Sequence, residues 1–134
     1  YLTIGAGIPD ERLVVEGNIR VYGDYMLLAG SSGMAEYFET EEYIQPGNIA
    51  GINPETGLAR NYRPGDEIAG VASSESAMAG NYKPGQSEWP LQMIVIAGRV
   101  KVSPADVVVR NGMVCTTDGH SLGAQCAEGF VLLR

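Results

Sequence analysis

Basic charge is scarce in this sequence: nine Lys and Arg stand against sixteen Asp and Glu, and the formal net charge is -7. No block of Lys or Arg occurs either, so no nucleic-acid partner is expected, because neutralising phosphates supplies most of that affinity. The same sign disfavours anionic membrane surfaces. No apolar run approaches the roughly 20 residues that cross a bilayer, and no charged-then-apolar leader is present, so no membrane insertion is expected. Cysteine is limited to Cys115 and Cys126. Two are too few for a disulfide framework, and their spacing allows a bridge without requiring one. Runs of the helix formers Leu, Lys and Gln are missing, which leaves little to drive long helices.

What the chain has instead is 18 Gly, 7 Pro and 7 Tyr in 134 residues, with 45% hydrophobic residues. Frequent turn formers between short apolar runs favour β-structure, and the length suits one domain with an appendage. The chain starts at Tyr1 rather than Met and reads as a processed product or the ordered part of something longer. Residues 1–30 alternate apolar and polar positions in LTIGAGIP and LVVEGNIRVYGDYMLLAG, with turn signals at Glu16-Gly17-Asn18 and Gly23-Asp24. These are short strands that cannot bury a core alone. Gly30-Ser31-Ser32-Gly33 then reads as a joint between this arm and a head over residues 31–134.

In the head, Tyr followed closely by Pro-Gly recurs in YIQPGNIAGI, NYRPGDEIAGV and NYKPGQSEW. Three weak copies do not make a solenoid. Each Pro-Gly is expected to form a tight turn, Pro presetting a negative φ and Gly supplying the positive one, before the chain enters a strand. NIAGI, DEIAGVA and LQMIVIAGRVKV fit as strands, and DVVV, GMVCTT and GFVLLR supply three more. The stretch 91–102 is apolar on both faces in its first half and is the candidate central strand. Helical turns are expected only within residues 33–40 and 73–79.

The order of several of these motifs resembles bacteriophage tail fibres. LTIGAGIPDERLVVEGNIRVYG is similar to strand-turn units that recur ahead of their terminal domains. MAEYFE, DEIAGVASSESAMAGN, MIVIAGRVKV and NGMVCTTDGHSLGAQC follow in the order of motifs in the C-terminal heads, a group related to intramolecular-chaperone autoproteolytic domains of tailspikes. The resemblance implies an all-β chain with a fibre-like arm and a compact β-head, intertwined in a homotrimer. It further implies a virion structural part, extracellular when mature, that contacts itself, other virion or fibre proteins and a host-surface glycan. Ala105-Asp106 and Asn111-Gly112 depart from the "PGD" turn of those heads, and residues 1–134 include no coiled-coil chaperone segment. No catalytic residue is carried over and no enzyme activity is expected; the alternatives are a self-processing chaperone-type domain and a glycan-binding β-module.

The candidate sites follow from residue chemistry. In the arm, Ile4, Leu13, Val15, Ile19 and Val21 are the residues expected to bury their side chains against other chains. Tyr62, Tyr82 and Trp89 form the aromatic set suited to surface recognition, since rings near turns stack on sugars or anchor protein contacts. Glu36, Glu39, Glu41 and Glu42 crowd into seven residues, but without the alternating Asp, Asn and Gly of a Ca²⁺ loop. They read as solvated, with Ala35, Tyr37 and Phe38 facing inward, or as partners of Arg12, Arg20 or Arg63 of a neighbouring chain. Cys115, His120 and Cys126 lack the fourth ligand and close Cys pair of structural zinc. No metal and no cofactor are expected. Cys115 fits a strand, and His120 the turn Asp118-Gly119-His120-Ser121. Ser73, Ser74 and Ser76 around Glu75 lack a nucleophile elbow.

Overall fold

The computed structural model describes residues 17–20, 22, 33–83 and 85–133. The described head is all-β, as expected. Its strands are β1 (Met34–Glu39), β2 (Ile49–Ile52), β3 (Ala59–Asn61), β4 (Glu67–Ala72), β5 (Met78–Gly80), β6 (Leu91–Lys101), β7 (Val107–Arg110), β8 (Met113–Thr116), β9 (Ser121–Ala127) and β10 (Phe130–Leu133). The one helical piece among the described residues is a 3-10 turn over Pro104–Asp106.

β6 organises the sheet. Its first half pairs antiparallel with both β1 and β4, and its second half pairs with β10. From β4 the ladder continues to β2 and β3, and from β10 to β9, β8 and β7, so one sheet curls across two halves. β5 joins outside this path as a parallel partner of β1. The central-strand expectation holds for a physical reason visible in neighbouring residues. Ile94 is buried against Ile44, Ala50, Ala59 and Ala72 on one face, while Val95 packs with Ala35, Ile49 and Val71 on the other. A strand covered on both faces reads as a continuous apolar run rather than an alternation. The second cluster also takes Val100, Val102, Val114, Leu122, Val131 and Leu133, so it is the core that binds the two halves of the sheet.

Pro46-Gly47 and Pro64-Gly65 form the expected turns. The Asn48 N–H donates to the Gln45 carbonyl at 2.9 Å and the Asp66 N–H to the Arg63 carbonyl at 3.0 Å. Gly47 and Gly65 take φ of +96° and +97°, as residue i+2 of a type II turn requires. Each leads into a strand. In the third copy, Gly85 has φ of +76° and the Gln86 N–H reaches the Lys83 carbonyl at 3.2 Å. That turn is followed by an irregular stretch, and β6 begins only at Leu91.

Three expectations are corrected. Residues 33–40 form no helical turn: MAEYFE is β1, recruited by the edge of β6 with Ala35 opposite Val95 and Tyr37 opposite Met93. Residues 73–79 make a local turn in which the Ser73 hydroxyl donates to the Glu75 carbonyl, and the chain then enters β5. In both segments strand partners distant in sequence override local propensity. β3 and β9 add strands that the apolar pattern did not reveal. ARN has too few residues to show a period, and in SLGAQCA the residues opposite the buried Val131 and Leu133 are Gln125 and Gly123, so no large apolar side chain marks those positions.

Candidate functional site

The acid cluster is divided by the fold. Glu36 and Glu39 are exposed on β1, but Glu41 and Glu42 are not simply solvated, which corrects the expectation for those two. One Glu41 oxygen accepts the Asn53 amide at 2.8 Å and the Thr56 hydroxyl at 3.0 Å. The hydrogen bond from Asn53 is the main reason its carboxyl is held below the ordinary 4.5. Glu42 accepts the Asn61 N–H at 3.1 Å and lies 3.7 Å from Arg63 of its own chain. Both carboxylates therefore organise the loops around β3.

Beside them, Arg60 meets Asp66 in a two-pronged pair, Nε to Oδ2 at 3.0 Å and Nη2 to Oδ1 at 2.8 Å. The Asp66 side chain is only 1% exposed, so this contact is made away from bulk water. The bare Cα of Gly51 leaves the room: a Cβ there would stand 2.8 Å from the Asp66 carboxylate. The Arg60 hydrogen bond holds Asp66 below its ordinary 3.8. The same pair raises Arg60 above its usual range, through its hydrogen bond to Asp66 first.

A second network joins the two halves of the sheet. The Tyr62 hydroxyl donates to Asp118 Oδ2 at 2.9 Å, across 56 positions of sequence. The Thr116 hydroxyl donates to Asp118 Oδ1 at 2.6 Å and accepts the His120 N–H at 2.9 Å. His120 Nε2 lies 3.6 Å from Asp118 Oδ2. The Thr116 bond is the largest cause holding Asp118 below its ordinary 3.8. Burial first, and the neighbouring carboxylate second, push Tyr62 above 10.0. His120 and Ser121 also line a cavity of about 370 Å³ with Asp66, Glu67 and Ile96. Among the described residues, however, no Ser, Thr or Cys side chain hydrogen-bonds the His120 ring, the contact by which a base activates a nucleophile.

Asp66 and Asp118 both titrate below their unfolded values, so protonation favours the unfolded chain. Their contribution is fully present above the ordinary carboxylate value and is lost as pH falls through the lower folded values. The thermal midpoint of the wild type should therefore fall through the acid range, and more steeply than that of Asp66→Asn, which has already lost its share. Parallel slopes for the two proteins would show that the Arg60 pair contributes no pH-linked stability.

The expected recognition residues separate into two places. Tyr62 packs against the core and is committed to Asp118; it also lines a different cavity from the other two rings. Tyr82, 62% exposed, and Trp89, 47% exposed, share a cavity of about 320 Å³ with Ser87, Pro90 and Leu91. The Tyr82 ring is braced by Tyr37, with centroids 4.7 Å apart, and the Asn81 amide donates to the Tyr37 carbonyl. Tyr82 and Trp89 are thus held as a shallow aromatic recess, and Tyr62 is a structural bridge. The sequence carried no signal for the Tyr62 to Asp118 contact beyond the turn-forming Asp118-Gly119.

Ile4, Leu13, Val15 and Val21 lie outside the described residues, as does Arg12. Ile19 is 64% exposed, and Arg20 reaches the Tyr22 hydroxyl at 3.2 Å. The remaining exposed apolar residues of the head include Met34 and Met78, which sit side by side in the β1–β5 register. All three residues of β5 are exposed. Cys115, half-buried in β8, and Cys126, exposed on β9, are both free thiols. Among the described residues no three His, Cys, Asp or Glu side chains converge as metal ligands, and no buried side-chain nitrogen or oxygen lacks a hydrogen-bond partner.

Comparison of the chain with protein-family models, curated proteins and solved structures returns no match.

Proposed function

We propose that this chain is the β-rich head of a homotrimeric tail fibre or spike, a structural part of a virion that assembles with copies of itself and presents a surface for host attachment. The observation that carries this reading is the open edge of β5. That strand pairs only with β1 among the described residues, and all of its residues are exposed. Met78 on this strand lies beside Met34 of β1, each half-exposed. An unpaired strand edge is a template for another chain, and monomeric proteins usually blunt it with charge or cover it. Here the exposed strand is Met-Ala-Gly, with no charge in it. The order of motifs shared with tail-fibre heads supplies the virion context.

The attachment half of the reading rests on the recess of Tyr82 and Trp89. An apolar ring face beside a polar Ser87 suits a sugar, which presents C–H groups on one face and hydroxyls at its rim. Such a recess holds a ligand by stacking, without a charged anchor.

Light scattering after size exclusion tests the assembly. The wild-type chain should elute with the mass of three chains and Met78→Glu with the mass of one, since a charge on an exposed edge leaves the fold itself nearly unchanged. A wild-type monomer would overturn the assembly reading, and a glycan array probed with the same two samples reads the attachment half separately.

A further inference from the structure

We propose that Asn111-Gly112, the two-residue turn between β7 and β8, is a site of spontaneous deamidation at which the chain converts a neutral amide into a carboxylate without an enzyme. The turn is closed by the Arg110 and Met113 pair. Asn111 and Gly112 take φ of +51° and +75°, the conformation a two-residue hairpin of this type demands, and both are exposed.

The other asparagines show why this one is singled out. The side chains of Asn48, Asn53, Asn61 and Asn81 each donate a hydrogen bond, to Asn61, Glu41, the Tyr43 carbonyl and the Tyr37 carbonyl respectively. Each is followed by Ile49, Pro54, Tyr62 or Tyr82, and Asn18 by Ile19, so in every case the next residue either shields its N–H with a bulky side chain or has none. Asn111 alone precedes a glycine. Among the described residues nothing holds the Asn111 amide, and nothing accepts the Gly112 N–H. The Gly112 carbonyl accepts the Gln125 N–H at 2.8 Å, which anchors the following peptide, Gly112 to Met113, and leaves the Gly112 N–H free to react.

The chemistry closes on the chain's own atoms and water. The Gly112 backbone nitrogen attacks Cγ of Asn111, forming the new C–N bond of a five-membered succinimide. The bond from Cγ to Nδ2 breaks, and the amide nitrogen leaves as ammonia with the proton given up by Gly112. Water then opens either carbonyl of the ring, yielding aspartate or isoaspartate. Asp118-Gly119 shares the following glycine, but Asp118 lacks the positive φ of Asn111, and its carboxylate is held by Thr116 and Tyr62 and kept ionised, a poor electrophile.

The product matters at two levels. The formal net charge moves from -7 to -8 by one new carboxylate beside exposed Arg110. The isoaspartate product also inserts an extra backbone carbon into the turn whose length sets the register of β7 on β8. In that register Val109 faces Val114, a core residue, so the modification reaches from the surface into the packing between the halves. The inference stands on the turn alone and is independent of the fibre reading.

Peptide mapping by mass spectrometry after prolonged incubation of the whole chain at mildly alkaline pH, with enzymatic methyl labelling of isoaspartate, tests it. Conversion at Asn111 should be on the order of tenfold faster than at any other asparagine, a barrier difference of about 1.4 kcal/mol. Isoaspartate labelling should fall several-fold in Asn111→Gly, which accepts the positive φ without strain. An intact Asn111 amide beside converted asparagines elsewhere, or undiminished labelling in Asn111→Gly, overturns the proposal.

Discussion

Gly70→Ala should destabilise the head by about 3 kcal/mol or more, the upper end of what overpacking costs. A Cβ at Gly70 would overlap the Val95 carbonyl, which belongs to the backbone of the central strand and has no rotamer by which to withdraw. The close approach arises where the β2–β4 register shifts, with Ala50 facing Gly70 and Gly51 facing Ile68. That bulge lets Ile68 and Val71 both serve the larger core while Ala69 and Ala72 face the smaller one. Adding one methyl forces β4 away from β6 at the point where Val71 is paired with Val95. Gly80→Ala is the matching control, because nothing lies within 4 Å of a Cβ there and the site is exposed; it should be neutral or slightly stabilising. Thermal unfolding of both variants decides the matter. Equal midpoints would mean that the strands slide apart at little cost and that the bulge is not a constraint.

Ile94→Ala should cost close to 5 kcal/mol, near the top of the roughly 2–5 kcal/mol range for such truncations. Ile94 is fully buried, and the cluster around it contains Ala50, Ala59 and Ala72, side chains too short to move into the space vacated. A cavity that cannot collapse keeps the full penalty of its lost contacts. Ile44 and Phe38 are the larger neighbours, and Ile44 is itself fixed because its N–H and carbonyl are both bonded to the Gln92 side chain, at 2.7 and 2.8 Å. Ile94→Val should cost only about 0.5–1.5 kcal/mol. Domains of this size are stable by about 5–15 kcal/mol, so the alanine variant should lie near the threshold of folding. Urea unfolding with an unchanged slope and a lowered midpoint is the expected result. A loss below about 1 kcal/mol would show that β1 and β2 close over the gap and that this cluster is softer than its packing suggests.

The readings that succeeded from sequence rest on local chemistry. Pro46-Gly47 and Pro64-Gly65 announce their turns because Pro fixes φ and Gly admits the positive φ, each at its own position. The run at 91–102 announces a central strand because burial on two faces removes the polar alternation. Where the sequence misled, the deciding partner was far away. MAEYFE has the composition of a short helical segment or a strand, and the free edge of β6 chose strand. Glu41 and Glu42 read as plainly solvated acids, but Asn53 and Thr56 of the β2–β3 loop bond to the first and the Asn61 N–H of β3 to the second. Tyr62 looked equivalent to Tyr82 and Trp89 because all three neighbour turns. Only the curl of the sheet, which carries the β8–β9 turn up to Tyr62, separates a bridge from a recess.

By itself, then, the amino-acid order determined that this chain is β-structured, acidic and punctuated by Pro-Gly turns, because those properties are set by single residues and their immediate neighbours. Which carboxylates are buried in bonds, which aromatic rings share a recess and which strand is left with an open edge were decided by tertiary structure. Each depends on pairing between segments tens of residues apart, and the register of that pairing is written in no one segment.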